Sequence, residues 1–218
     1  MPLTKEDISK GLKKLRDLAK KRNFIQSVDL IINLKDTSVK DPESKIKGVV
    51  VLPHLIGKKV TVAAFVDKSL ITEARKVFDE VILLDDFPSY KDKRKVKRLV
   101  RSYDYFVAQA NLMGDIAKVF GRFLGPKDRM PDPKAGCIVP PKNELLKPLY
   151  DKLQSTVRVR VKNEPMINLK IGVESMTDGE LVDNILSVYT MVLSKLPRHE
   201  DQIGTIKLKM TMSGSVNL

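Results

Sequence analysis

KVTVAAFVDKSLITEARKVFDEVILL, residues 59–84, is the stretch on which the fold turns. KVTVAAFV (59–66) is a short apolar run and reads as a strand, KSLITEARKVF (68–78) as a helix, and EVILL (80–84) as a second strand. The rhythm continues downstream. A basic helix is predicted at about 90–101, a strand over YDYFVAQ (103–109) and a helix over NLMGDIAKVFGRFL (111–124). Strands and helices alternating at this length imply a parallel sheet with helices on both faces, the doubly wound α/β plan.

The segment that follows, GRFLGPKDRMPDPKAGCIVPP (121–141), holds three glycines and five prolines in 21 residues. Glycine opens backbone angles closed to other residues, and proline fixes φ and removes a donor, so neither helix nor strand is expected to run through it. Phe123, Leu124, Met130, Cys137, Ile138 and Val139 give it too much apolar surface for a floppy linker. An ordered, functional loop is predicted, followed by a short helix at 143–153.

Upstream, residues 4–22 read as a helix with Thr4 as N-cap and an apolar stripe of Ile8, Leu12, Leu15 and Leu18. Its other faces carry Lys10, Lys13, Lys14, Arg16, Lys20, Lys21 and Arg22, which suit either a solvated surface or phosphate contact. NFIQSVDLIINL (23–34) alternates, with Val28, Leu30, Ile32 and Leu34 on one face and Ser27, Asp29, Ile31 and Asn33 on the other. DTSVKDPESK (36–45) is a turn-rich connection, and KGVVVLP (47–53) a second strand.

At the other end, TVRVRVK (156–162) is predicted to turn Val157, Val159 and Val161 inward and Thr156, Arg158, Arg160 and Lys162 outward. MINLKIG (166–172) is a further strand. A helix begins at Thr177, in capping-box spacing with Glu180, carries the stripe Leu181, Ile185, Val188, Val192 and Leu196, and stops at Pro197. TIKLKMTM (205–212) closes the chain as a strand, with Ile206, Leu208, Met210 and Met212 facing one way and Thr205, Lys207, Lys209 and Thr211 the other.

The economical architecture is nested. Residues 1–57 and 155–218 would form one discontinuous α+β domain around a largely antiparallel sheet. Residues 58–154 would be an inserted Rossmann-like three-layer α/β domain. The crossings near 54–58 and 151–155 would act as a two-stranded hinge.

A formal charge of +13 on 218 residues points to a polyanion. No run approaches 18 apolar residues, and MPLTKEDISK has no apolar core of a signal peptide, so neither a membrane span nor a secretory signal is expected. The lone Cys137 fits a reducing, cytoplasmic setting, and two separated histidines offer no metal-site spacing. The first β-to-α turn is VDKSL rather than a Gly-rich phosphate loop, and Gly121-x-x-x-Gly125 lacks the Lys-Ser/Thr ending of a P-loop, so no nucleotide cofactor is expected. His54, His199, Asp85-Asp86 and Asp128/Asp132 form no catalytic constellation; the carboxylates read as turn formers. KDKRKVKR (91–98) reads as a solvated helix first and an RNA contact second. The rows Arg158–Arg160–Lys162 and Thr205–Lys207–Lys209–Thr211 set cations and hydroxyls on one strand face, suited to phosphates and 2′-hydroxyls, although a plain polar sheet surface fits the same spacing. With no Trp, structured RNA recognised by shape and backbone is favoured over single strands. A nucleotide-dependent enzyme using the α/β middle, and a general nucleic-acid coating protein, are the competing readings.

These motifs together resemble the family of protein one of the large ribosomal subunit, the universal side-stalk protein, in its archaeal form. GRFLGPKDRMPDPKAG resembles the family's G-R-[IF]-L-G-P-x-x-x-M-P-x-P-K-x-G loop, supported by KGVVVLPH–GK at 47–58, MTDGELVDNI at 176–185 and a T-M near the C-terminus. The resemblance implies a non-enzymatic protein without cofactor, monomeric outside the ribosome. It would bind a junction in large-subunit rRNA, form a mobile stalk beside exit-site tRNA, and repress translation by binding its own mRNA. Carried over by position, its RNA-binding residues would be Phe24, Ser27, Arg160, Asn168, Thr205, Thr211, Met212 and Gly214, with Lys207 beside them as a phosphate contact. Arg122, Lys127 and Lys134 would serve a secondary RNA or interdomain contact. This chain has Phe24-Ile25-Gln26-Ser27 where the family usually has F-x-E-T, and Thr211-Met212-Ser213-Gly214 where it usually has T-M-G-P.

Overall fold

The computed structural model describes residues 3–35, 46–140, 145–161 and 164–218. The connection 36–45, the outward placement of Lys162 and the first residues of the helix expected at 143–153 lie outside the described residues. In chain order come α1 (Lys5–Leu18), β1 (Ser27–Leu34) and β2 (Lys47–Val51). Then follow β3 (Val62–Val66), α2 (Ile71–Val77), β4 (Glu80–Leu83), α3 (Lys93–Ser102), β5 (Tyr105–Gln109), α4 (Met113–Leu124), β6 (Ile138–Val139) and α5 (Leu146–Gln154). The chain ends with β7 (Thr156–Arg160), β8 (Met166–Val173), α6 (Asp178–Lys195), β9 (Ile203–Met210) and β10 (Ser215–Asn217). The fold is mixed α/β, with antiparallel and parallel sheets. Backbone contacts divide it into two compact units, Met1–Lys58 with Ser155–Leu218, and Lys59–Gln154.

In the terminal unit, four strands form an antiparallel sheet of order β10-β9-β1-β8. Val28, Leu30, Ile32 and Leu34 of β1 are buried, as the alternation predicts. They join Leu208, Met210, Ile167, Leu169 and Ile171 in one core with α1 and α6. The α6 stripe Leu181, Ile185, Val188, Val192 and Leu196 is buried throughout, and each such aliphatic side chain contributes about 1.5–3 kcal/mol over its exposed state. Thr177 and Glu180 close a reciprocal capping box at the start of α6. Buried Asn184 clips the chain after β2 to this helix: its Oδ1 accepts the His54 N–H at 3.0 Å, and its Nδ2 donates to His54 O at 3.2 Å and Ile171 O at 2.9 Å. Gly57, at φ 76°, permits a close approach, since a Cβ there would lie 2.4 Å from Val173 Cγ2.

Several expectations are corrected here. The first helix stops at Leu18, which is exposed, rather than at residue 22. Its buried stripe ends at Leu15, and Lys20-Lys21-Arg22 would add like charges without burying an apolar face. Arg16 is engaged within the fold. Its guanidinium donates to Asp178, Glu174 O and Met176 O and holds α1 to the loop before α6. β1 begins at Ser27 rather than at residue 23. β2 and β7 form their own two-stranded antiparallel sheet instead of joining the larger one. In that ribbon Thr156 is buried, contrary to its outward assignment, while Arg158, Arg160 and Val157 are half-buried. A two-stranded ribbon twists strongly, so side chains along it do not keep to two clean faces. The last strand ends at Met210, and the chain turns at 211–214 into β10.

In the inserted unit, β4-β3-β5-β6 are all parallel. α2 packs with α5, and α3 with α4. Every residue of β3 and β5 is buried, as a sheet covered on both faces requires. Phe65, Phe106 and Phe120 anchor the α3–α4 side, with Phe65 and Phe120 ring centres 4.9 Å apart.

The Gly/Pro-rich segment is more regular than predicted. Gly121–Leu124 is the last turn of α4, and Ile138–Val139 adds β6 to the sheet edge beside β5. Two residues suffice for an edge strand, which explains how it escapes notice among prolines. Of the segment's glycines only Gly136 is left-handed, at φ 73°, closing the turn 133–135; a Cβ at Gly121 or Gly125 would meet nothing within 4 Å. Asp128 takes a left-handed turn position and the Asp132 carboxylate caps the Lys134 N–H, so both residues belong to turns.

Candidate nucleic-acid interface

β1 has two faces, and the one turned away from α1 and α6 is polar. Register places Ser215, Lys209, Asp29 and Lys170 in one row across the four strands. Asn217, Lys207, Ile31 and Asn168 form the next. At one end of these rows Asn33 Nδ2 donates to Thr205 Oγ1 at 2.7 Å. At the other end the Ser27 and Thr211 hydroxyls meet at 3.0 Å, and the Ser27 N–H donates to Thr211 Oγ1 at 3.1 Å.

Asp29 sits between two ammonium groups. Burial raises its carboxyl above the ordinary aspartate range, against the opposing pull of Lys170 and Lys209. Lys170 is shifted down, chiefly by burial and further by Lys58, with Asp29 opposing. The row therefore holds charge that is only partly hydrated, with two ammonium groups of a kind that phosphate oxygens pair with.

The turn between β9 and β10 carries Thr211, Met212 and Gly214, all exposed. Met212 is 57% exposed and so does not continue the inward row of Leu208 and Met210, as its spacing had implied. Its N–H donates to Gln26 Oε1 at 3.1 Å, while Gln26 Nε2 donates to Lys20 O at 3.3 Å. Gln26 is 1% exposed, and its backbone carbonyl accepts the Glu174 N–H at 2.9 Å. Gln26 thus ties the basic 20–22 segment to the β9–β10 turn through its side-chain amide, and the loop after β8 through its backbone carbonyl. Phe24 and Ile25, immediately before it, are 51% and 68% exposed, large apolar side chains beside a hydroxyl pair and suited to a base or ribose face. Ser213 Oγ accepts the Met210 N–H at 3.0 Å and stabilises the turn from within. Gly214 has ordinary negative φ, and a Cβ there would meet nothing within 4 Å, so the turn itself does not demand glycine.

The structure therefore brings Ser27, Asn168, Thr205, Lys207, Thr211, Met212 and Gly214 onto one sheet and its turn, with Phe24 leading into it. Arg160 stands apart on the β2–β7 ribbon opposite Lys47, where burial lowers its guanidinium without removing its charge. Arg122, Lys127 and Lys134 belong to the inserted unit, where all three are exposed. Sequence reasoning put Asp29 and Asn33 on this face of β1 without naming them as site residues, and it missed Lys170, the β10 residues Ser215 and Asn217, and the buried Gln26 behind the turn. The Ser213-Gly214 dipeptide, a turn signal, could have revealed the hairpin and hence β10. Nothing in the spacing could have placed Lys170 beside Asp29.

Among the described residues no group of three or more His, Cys, Asp or Glu could hold a metal ion, and no helix is long and apolar enough to cross a membrane.

Comparison with known proteins identifies the family. The family model described as the ribosomal protein L1p/L10e family matches residues 12–214. The chain is 37% identical to the large ribosomal subunit protein uL1 of Pyrococcus abyssi, over 100% of this chain and 98% of that one. It is 35% identical to uL1 of Thermococcus kodakarensis, over 100% and 99%. It is 38% identical to uL1 of Nanoarchaeum equitans, over 95% and 97%. A family match across most of the chain and full-length archaeal relatives leave one assignment: the chain belongs to the ribosomal protein L1 family, in its archaeal form.

Proposed function

We propose that the protein is a structural constituent of the large ribosomal subunit that binds large-subunit rRNA through the polar face of its four-stranded sheet and the β9–β10 turn. The observation that carries this is the continuous run from Lys170 through Asp29 and Lys209 to Ser215, joined at one end by the Ser27–Thr211 hydroxyl pair. Ammonium groups supply sequence-independent affinity for phosphates, and hydroxyl, amide and backbone groups distinguish the site by shape and 2′-hydroxyl contact.

In this reading residues 1–57 and 155–218 act as the RNA-binding domain and 58–154 as an inserted domain. The protein works in the cytoplasm on the ribosome, as a monomer when free of it. The assembled stalk stands beside exit-site tRNA, and the same face takes an imitation of the rRNA site in the protein's own mRNA, repressing translation. A nucleotide-dependent enzyme built on 58–154 finds no support among the relatives, which are ribosomal proteins.

Filter binding to the large-subunit rRNA junction, beside a scrambled RNA of equal length, tests the reading. Tight binding to the junction alone is expected. Replacing Lys207 by alanine should flatten the salt dependence by about 0.7–0.9 log units per log unit of salt, one phosphate contact. Equal affinity for both RNAs would overturn the proposal.

A further inference from the structure

The inserted unit holds a second charged feature that the sheet face does not use. α3 carries Lys93, Arg94, Lys95, Lys97, Arg98 and Arg101, all exposed. Among the described residues none of these six has an ion-pair partner. Four lysines elsewhere in the same unit are matched, Lys59 with Asp79, Lys68 with Asp85, Lys76 with Glu73 and Lys118 with Asp115, all within 3.1 Å, and the other unpaired cations of the unit are not gathered on one helix as these six are.

The arrangement is unfavourable for the helix by itself. Lys93/Lys97, Arg94/Arg98 and Lys97/Arg101 are like charges one turn apart, and Lys93, Arg94 and Lys95 crowd the end where the helix dipole disfavours cations. Asp92 caps the N-terminus through the Arg94 N–H at 2.9 Å, and Val96, Leu99 and Val100 fasten the helix to the core. Packing thus holds in place a helix whose charges repel one another.

A groove of about 330 Å³ opens along this helix, with Lys95, Arg98, Ser89 and Ser102 in its walls beside Tyr90, Tyr103 and one carboxylate, Glu80. Tyr103 donates to Glu80 at 3.3 Å, and Tyr90 packs on Phe120 with ring centres 5.3 Å apart. Both rings are therefore fixed beside two unpartnered cations, with two hydroxyls nearby.

We propose that α3 and this groove form a second RNA site, in which Lys95 and Arg98 take backbone phosphates and a nucleotide of a single-stranded segment lies against the tyrosine wall. The choice of RNA over other polyanions rests on the ribosomal reading above. An anionic membrane fits less well, because the apolar residues of α3 are spent on the core and none is left to enter a bilayer. Fixed rings beside arginine and lysine suit single strands, which bind by stacking and charge together.

The test uses the full chain carrying Lys207→Ala, so that phosphate binding at the sheet site is weakened, and a short single-stranded oligoribonucleotide. Adding Lys95→Gln and Arg98→Gln should lower affinity about tenfold at low salt and reduce the log–log salt slope by about 1.4, two single-strand phosphate contacts. Arg75→Gln with Lys147→Gln, two exposed cations on α2 and α5, should leave the slope unchanged. Equal losses from both pairs would overturn the site in favour of diffuse charge. So would an unchanged slope in the Lys95/Arg98 variant, or a loss confined to vesicles of anionic phospholipid. Failure of the unmodified protein to prefer the rRNA junction would sink the sheet reading alone, since the oligoribonucleotide measurement does not depend on it.

Discussion

Gln26 Oε1 accepts the backbone N–H of Met212 at 3.1 Å, across 186 residues of chain. The bond needs only an acceptor at position 26, and a carboxylate supplies one as well as an amide does. The amide adds a donor, which reaches Lys20 O at 3.3 Å. Gln26→Glu should therefore keep the β9–β10 turn in place and retain junction-RNA affinity within about threefold. It should cost about 1–3 kcal/mol of stability, because a buried carboxylate would face the Lys20 carbonyl and Glu174. Gln26→Leu leaves the Met212 N–H without its acceptor and should weaken junction binding about 5–30-fold, the equivalent of about 1–2 kcal/mol. Comparable RNA loss in both variants would show that the donor end matters as much as the acceptor.

Thr211 serves the fold and the surface with one atom. Its Oγ1 accepts the Ser27 N–H and meets the Ser27 hydroxyl. Thr211→Ser keeps that oxygen and should bind the junction nearly as the unmodified chain does. Thr211→Ala should weaken junction binding about tenfold, the scale of one well-made hydrogen bond, while binding to unrelated duplex RNA stays level. Filter binding on both RNAs decides it, and parallel losses would remove Thr211 from the specificity set.

The periodic elements were legible because burial in them follows period: β1 alternates strictly, and the α6 stripe is buried without exception. Faces failed where a two-stranded ribbon twists: Thr156 is buried there instead of facing out. The interface was half legible. Thr205, Lys207 and Thr211 are visible as one row of one strand, but Asp29 and Lys170 join them only through register, which no single strand encodes. The likeness of the Gly/Pro-rich segment to its family signals membership, whereas the strained geometry its glycines suggest is confined to Gly136.

Asn184 is a stability residue rather than a surface one. It is fully buried and makes three hydrogen bonds to the backbone of His54 and Ile171. Asn184→Ala should cost about 2–3 kcal/mol, since the His54 N–H is left without its acceptor. At about 2–4 °C per kcal/mol for a chain of this size, calorimetry should see the melting temperature fall by about 4–12 °C. Asp183→Asn, which alters only the exposed 3.4 Å contact to His54 Nε2, should change stability by less than about 1 kcal/mol. A larger effect at Asp183 than at Asn184 would contradict the assignment.

Asp29 offers a test with a sign. Burial raises its carboxyl above the ordinary value of 3.8, although Lys170 and Lys209 pull the other way. A carboxyl that holds its proton more tightly folded than unfolded loses stability as pH rises through 3.8 and on past its folded value. Asn cannot ionise. Asp29→Asn should therefore match the unmodified chain below about pH 3.8 and be the more stable of the two at pH 7. The same change frees two ammonium groups from their shared counter-charge, so binding to unrelated RNA at low salt should tighten about two- to fivefold and steepen with salt. Denaturant titrations across pH, with binding at two salt concentrations, measure both arms. If Asp29→Asn proved less stable at pH 7, the two lysines would outweigh the burial, and the Lys209–Asp29–Lys170 row would be an ion-pair network that holds the sheet rather than a surface waiting for phosphate.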